Sequence, residues 1–163
     1  MKVSSKGFKC GDYLGQQHVL SADYGFGCSG GNVSPDLKWE DAPADTRSFA
    51  VTCYDPDAPT GSGFWHWVVV NIPPDVTELA VNAGDPAAGA LPAGALQTRT
   101  DFGKPGYGGP CAPEGHPHRY LFTVYAVSLD KLPVTADTSA AVVGLFLNSN
   151  ALAKASLMGL YRR

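Results

Sequence analysis

Residues 54–67 read Y-D-P-D-A-P-T-G-S-G-F-W-H-W, placing carboxylates, prolines, an imidazole and aromatic rings in one short stretch. An imidazole held near a carboxylate can carry charge and donate strong hydrogen bonds to an anion. Asp55 and His66 are the residues here that fit this chemistry. Pro56 and Pro59 push the residues before them out of helical backbone, and Gly61 and Gly63 permit a tight reversal. Phe64, Trp65 and Trp67 then supply a large apolar surface. A connecting turn needs only the first half of this composition, whereas a binding site also uses the second, to exclude water.

A second group lies at 106–120, where G-Y-G-G-P precedes H-P-H-R-Y. His118 and Tyr120 add an imidazole and a phenol, and backbone N–H groups around Gly109, next to Pro110, can approach an oxyanion closely. If strand ends converge, these residues form a pocket walled by Phe64, Trp65 and Tyr120. Each residue also has a plainer reading. A single His at a strand start is more often a satisfied structural residue than a ligand. Trp65 and Trp67 suit a core, and the prolines suit turns. H-P-H at 116–118 resembles a metal pair, but Pro117 disturbs the spacing and no third ligand is evident, so neither metal nor cofactor is expected. Ser62 near His66 is too common a juxtaposition to count as a catalytic pair. No phosphate-binding loop, nucleophile elbow or dinucleotide fingerprint occurs. The expectation is a binding protein, not an enzyme.

The elements that must position these residues are mainly strands. R-S-F-A-V-T-C-Y-D (47–55) alternates in polarity, W-V-V-V-N-I within 66–72 is apolar on both faces, and 118–129 is aromatic and β-branched. Shorter strands are expected at 17–20 and 36–40. Helix is expected only near the C-terminus: 139–147, capped by Asp137 or Thr138, and 151–160. Strands first and helices last imply a mainly β fold, an antiparallel sandwich with peripheral helices near the C-terminus.

The 163 residues suit one domain, 1–163, with 44% apolar and 17% charged residues. Nineteen Gly and thirteen Pro argue for many turns. A net charge of -3 gives no general attraction to nucleic acid or acidic membranes, so an anion must be captured locally. The longest apolar run, 140–147, is too short to span a bilayer. The N-terminal segment lacks a secretory apolar run, which makes the cytoplasm the expected location. Cys10, Cys28, Cys53 and Cys111 are widely spaced; four free thiols are the first expectation in a reducing compartment and two bridges the alternative, with Cys53 buried.

D-P-D-A-P (55–59), W-H-W-V-V-V-N (65–71) and G-H-P-H-R-Y-L-F-T-V-Y-A-V (115–127) together resemble the phosphatidylethanolamine-binding protein family. The resemblance is to its bacterial and archaeal Raf kinase inhibitor-like branch, and it is continuous from Asn32 to Pro73 and again over 96–110. It implies a sandwich of two antiparallel sheets with an anion pocket at one end, suited to phosphate or phosphoethanolamine. It also implies ligand-binding roles for Asp55, His66, His118 and Tyr120, with Pro59, Trp65, Gly109 and Pro110 around them. The pocket wall falls on Pro110, Ala112 or Pro113. His66 and His118 are expected on neighbouring strands, with Asp55 raising the pKa of one of them. Arg119 points away from His118 and is expected to pair with an Asp of the D-P-D-A-P loop. Relatives act on kinases or serine proteases, so a regulatory protein partner is expected, with inhibition through protein contact as the alternative. Phosphoester hydrolysis by His66 or His118 ranks below both. A homodimer through the aromatic loops 24–26 and 102–107 is also expected.

Overall fold

The computed structural model, which describes residues 1–163, builds its larger sheet around three of the expected strands. The smaller sheet contains β1 (Lys2–Ser4), β2 (Leu37–Glu40) and β5 (Glu78–Leu79). The larger centres on β3 (Ser48–Asp55), flanked by β4 (Phe64–Ile72) and β7 (His118–Val127). Its edges are β6 (Leu96–Gln97), beside β4, and β8 (Ala151–Tyr161), beside β7. Every pairing is antiparallel.

Both faces of the large sheet are covered, which accounts for strands that are apolar on both sides. Phe49, Val51, Trp67, Val69, Phe122 and Val124 meet Leu37, Trp39 and Leu79 of the small sheet to form the sandwich core. On the other face Ala50, Val68, Val70 and Val127 pack under Ala140, Val143 and Leu147 of α1 (Ala140–Asn150).

Strand β4 carries two irregularities against β3. The pairing steps from Cys53↔Trp67 to Tyr54↔Trp65, so His66 is an extra residue. A bulge of this kind re-aims side chains. Phe64, His66 and Trp67 all reach the inner side, while Trp65 turns outward. The second irregularity, between Val69 and Ile72, contains Asn71 at φ 60°.

Several expectations need correction. Residues 16–18 form a 3-10 turn, so no strand runs over 17–20. The helix begins after Ser139, whose hydroxyl accepts the Val142 N–H, and not after Asp137 or Thr138. The second helix, 151–160, is absent; that segment is β8, paired with β7 along its length. Its alanines favour helix locally, yet pairing with the otherwise open edge of β7 overrides a preference of a few tenths of a kcal/mol per residue. One peripheral α-helix therefore stands where two were expected. Neither four free thiols nor two bridges is found: Cys28 and Cys111 form one disulfide, leaving exposed Cys10 free and Cys53 the buried thiol expected. The bonded residues are 83 apart in sequence, a proximity created only by the fold. No helix is long and apolar enough to cross a membrane.

Phe122 sits at the centre of this packing, fully buried and 5.6 Å from the Phe8 ring. Phe122→Ala should destabilise the protein by about 3–5 kcal/mol, read as a lowered denaturation midpoint. A loss below about 1 kcal/mol would be inconsistent with the sandwich core described.

Candidate functional site

The C-terminal end of β3, the bulged start of β4 and the first residues of β7 enclose a cavity of about 210 Å³. Asp55, His66, His118 and Tyr120 supply its polar lining, and all four are buried. Pro59, Phe64, Phe102, Phe26 and Leu20 make the remainder largely apolar. Cys111, Ala112, Pro113 and Arg163 form one wall.

Asp55 uses both carboxylate oxygens. Oδ2 accepts from His118 Nδ1–H at 2.8 Å, and Oδ1 accepts the Asp57 backbone N–H at 2.8 Å. Asp57 in turn receives the Arg119 backbone N–H at 2.9 Å and the guanidinium at 3.0 and 2.8 Å. The hydrogen bond from the Arg119 side chain is the main reason the Asp57 carboxyl is lowered to about 2. The D-P-D-A-P loop is thus fastened to β7 at two successive residues, and Arg119 has the pairing role expected of it.

His66 is fixed differently. Its Nδ1–H donates to the Gly108 carbonyl at 2.7 Å, and Gly108 N–H returns a bond to the His66 carbonyl at 2.9 Å. Burial lowers the His66 pKa and outweighs the opposing effects of Gly108 and of the Asp55 charge. Asp55 acts upward on His66 as expected, but the expected net rise does not occur at His66 because burial outweighs it. Burial first, and the Asp55 charge second, push the Tyr120 hydroxyl far up, so it remains a neutral donor. In both histidines Nδ1 is committed to a protein acceptor, which leaves Nε2 as the free ring nitrogen on a cavity-lining side chain.

Of the eight residues named from sequence, Asp55, His66, His118, Tyr120 and Pro59 line the cavity. Trp65, Gly109 and Pro110 do not. Trp65 faces the opposite side of the sheet, 4.5 Å from the Tyr54 ring and over Gly144 of α1, because the bulge begins one residue after it. Gly109 donates its N–H to the Asn32 side chain at 2.8 Å, so that group is not offered to a ligand. A Cβ at Gly109 would stand 2.1 Å from the His18 carbonyl oxygen, and one at Gly108 would stand 2.3 Å from the Phe102 ring. These glycines serve close packing. Pro110 has its carbonyl bonded to Leu20 N–H, and Ala112 and Pro113 supply the wall instead. His66 and His118 are not on neighbouring strands either, since β3 runs between β4 and β7.

Sequence reading missed Phe26, Phe102, Cys111 and Arg163. Phe102 packs 4.8 Å from Phe64 and 5.4 Å from His66, and Phe26 lies 5.7 Å from Phe102. The aromatic loops 24–26 and 102–107 carried a signal for these two. Arg163 carried none. It reaches the cavity because β8 runs back along β7, and its Nε–H donates to the Ala112 carbonyl at 2.6 Å. No group of three or more His, Cys, Asp or Glu converges to hold a metal ion. Chemically, the site offers two imidazole Nε2 atoms, a phenol, a guanidinium at the wall and a water-excluding aromatic surround.

Comparison with known proteins is consistent along the whole chain. The family model described as phosphatidylethanolamine-binding protein matches residues 5–162. Escherichia coli YbcL is 52% identical over 161 residues, covering 98% of this chain and 86% of that protein. Escherichia coli YbhB is 49% identical over 161 residues, covering 99% of each. The crystal structure of YbcL, described as a new member of the mammalian PEBP family, superposes with a TM-score of 0.95 over 99% of this chain and 98% of that one. A Chlamydia trachomatis phosphatidylethanolamine-binding protein homolog, 27% identical, gives 0.80 over 99% and 97%.

His66 and Asp57 govern opposite ends of an acid profile. His66 binds a proton more weakly folded than unfolded, because burial lowers its folded pKa. Its contribution is therefore intact above the ordinary His value of about 6.5 and is lost as pH falls from there toward the lowered value. His66→Asn, whose amide can still donate to Gly108, should lose less stability than wild type between about pH 7.5 and 5.5. Asp57 has a folded value of about 2 against an unfolded value near 3.9, so its pairing with Arg119 stabilises above about pH 4 and is lost as pH falls toward 2. Asp57→Asn should remove that lower limb. Denaturation midpoints across pH test both, and profiles parallel to wild type would refute the two assignments.

Proposed function

The chain belongs to the phosphatidylethanolamine-binding protein family, and from that premise we propose that it binds a small phosphorylated ligand in the cavity described. The observation that carries the proposal is the treatment of the two buried histidines. Each spends Nδ1 on a protein acceptor and keeps Nε2 for the cavity, where a protonated ring donates a charge-assisted bond to an oxyanion. Arg163 adds a cation at the wall, which offsets the Asp55 carboxylate. The cavity volume of about 210 Å³ suits a phosphate or phosphoethanolamine-sized group and not a whole lipid.

Binding without turnover is part of the proposal. The aliphatic hydroxyl and the sulfur that line the cavity are already committed: Thr60 donates its hydroxyl to the Gly63 carbonyl at 2.6 Å, and the Cys111 sulfur is in a disulfide. Preorganised groups of this kind favour affinity over chemistry. In the regulatory form of the proposal, occupancy of the cavity governs contact with a kinase or protease partner.

Calorimetry with phosphoethanolamine between about pH 5.5 and 8.5, in buffer free of other oxyanions, tests the reading. Sulfate is the companion probe, because its charge is constant over this range whereas phosphate esters titrate near pH 6. Affinity for sulfate should rise as pH falls below about 6.5, since His66 must gain a proton at Nε2 before it can donate and burial lowers its pKa. His66→Asn should weaken sulfate binding at acid pH on the order of tenfold and flatten the profile, the equivalent of one charge-assisted hydrogen bond. Absence of binding by either anion at millimolar concentration would overturn the proposal. Release of inorganic phosphate from phosphoethanolamine would overturn the claim of binding without turnover.

A further inference from the structure

One wall of the cavity is assembled from three chain segments that meet at the Cys28–Cys111 disulfide. Residues 25–36 and 106–117, which carry the two cysteines, lie outside helices and strands. Gly30–Val33 are bonded to residues 16–20, and Asn32 joins Tyr107 and Gly109, but the stretches at the cysteines themselves, 26–29 and 111–114, make no backbone–backbone hydrogen bond. The third segment is the end of the chain. Arg163 donates from Nε–H to the Ala112 carbonyl at 2.6 Å and from Nη1–H to the Phe26 carbonyl at 3.4 Å, and the Tyr161 hydroxyl lies 3.6 Å from Cys28 Sγ. Arg163 is itself exposed, and a bond to an exposed arginine is a weak tether. The disulfide is the one covalent link between the Phe26 side of the wall and the Ala112–Pro113 side. Its two sulfurs differ in access: Cys28 is 7% exposed, whereas Cys111 is half-buried and lines the cavity.

We propose that the Cys28–Cys111 disulfide is a redox control on the pocket, holding the wall in its ligand-competent form when oxidised and releasing it when reduced. The proposal rests on the reading of the cavity as an anion site. The chemistry is thiol–disulfide exchange with a dithiol reductant. A thiolate of the dithiol attacks Cys111 Sγ, the accessible sulfur, forming a mixed disulfide and expelling Cys28 as a thiolate that takes a proton. The second thiol of the reductant then attacks the mixed disulfide and releases Cys111, and the dithiol leaves as a disulfide, oxidised by two electrons. Because the attacked sulfur lines the cavity, an anion and its hydration in the cavity obstruct the first step. An oxidising compartment keeps the wall assembled and a reducing one loosens it, so affinity becomes a function of where the protein is.

The test compares oxidised protein, dithiothreitol-reduced protein and the Cys28→Ser/Cys111→Ser variant, all carrying Cys10→Ser to remove the exposed free thiol. Sulfate affinity is measured by calorimetry, and amide hydrogen exchange is followed at Leu20 and Gly30, whose N–H groups bond the Pro110 and Leu20 carbonyls. Reduction should weaken sulfate binding about tenfold, as expected when the competent wall is populated about one-tenth of the time. It should also speed exchange at Leu20 and Gly30 while β3 and β7 remain protected. The double-serine variant should match the reduced protein and be indifferent to dithiothreitol. Equal affinity and equal exchange in the oxidised and reduced forms would overturn the proposal. So would loss of protection throughout β3 and β7 on reduction, because the disulfide would then be holding the fold and not the wall. If no form binds sulfate, the anion-site reading fails, and exchange alone decides the redox control: acceleration confined to the wall upholds it and unchanged rates refute it.

Discussion

The hydrogen bond from His118 to Asp55 is the contact on which the rest of the site depends. Both side chains are withdrawn from water, and a carboxylate in that position is costly unless its oxygens are satisfied. Asp55 meets the requirement with the imidazole on one oxygen and the Asp57 N–H on the other. Removing His118 would leave a buried carboxylate short of a partner, a change of the class that costs about 3–5 kcal/mol. The same bond joins the end of β3 to the start of β7 and fixes which imidazole nitrogen is left over. One interaction therefore serves both the joining of β3 to β7 and the chemistry of the His118 ring.

A second constraint, the bulge at His66, completes the arrangement. A regular strand would send His66 and Trp67 to opposite faces. The extra residue lets Trp67 stay in the core while His66 joins Asp55 and Tyr120 at the cavity. Burial then keeps His66 uncharged near neutrality, which avoids placing an uncompensated cation among mostly apolar groups. In the proposed anion-binding role the ligand supplies the compensation, so ligand and proton enter together. Electrostatically the site is a balance of the Asp55 carboxylate, the Arg163 guanidinium at the wall and a His66 ring whose charge is held down by burial.

Much of this was legible in the sequence, for local reasons. The alternation in 47–55 and the β-branched, aromatic run at 118–129 marked two strands of the central sheet, and the D-P-D-A-P and H-R-Y stretches marked the residues that meet at their ends. Arg119 was placed correctly, because strand alternation sends it away from His118 and toward Asp57. What sequence could not show depends on long-range geometry. The bulge moved Trp65 out of the site, and backbone crowding turned the glycines at 108 and 109 from an anion cradle into a packing device. β8 reads as helix until β7 presents an edge to it, and only then does Arg163 reach the pocket, while the Cys28–Cys111 pair joins loops 83 residues apart. Each error follows from treating a segment by its own preferences when a partner distant in sequence decided its conformation.

The central claim is that both buried histidines are held through Nδ1 so that Nε2 faces the ligand. Nitrogen–proton correlation spectra of the histidine rings, recorded during a sulfate titration, test it most directly. The account predicts that in their neutral forms His66 and His118 are Nδ1–H tautomers, and that the Nε2 resonances of both move as sulfate binds. An Nε2–H tautomer for either ring in the free protein, or Nε2 resonances that stay fixed at saturating sulfate, would contradict it.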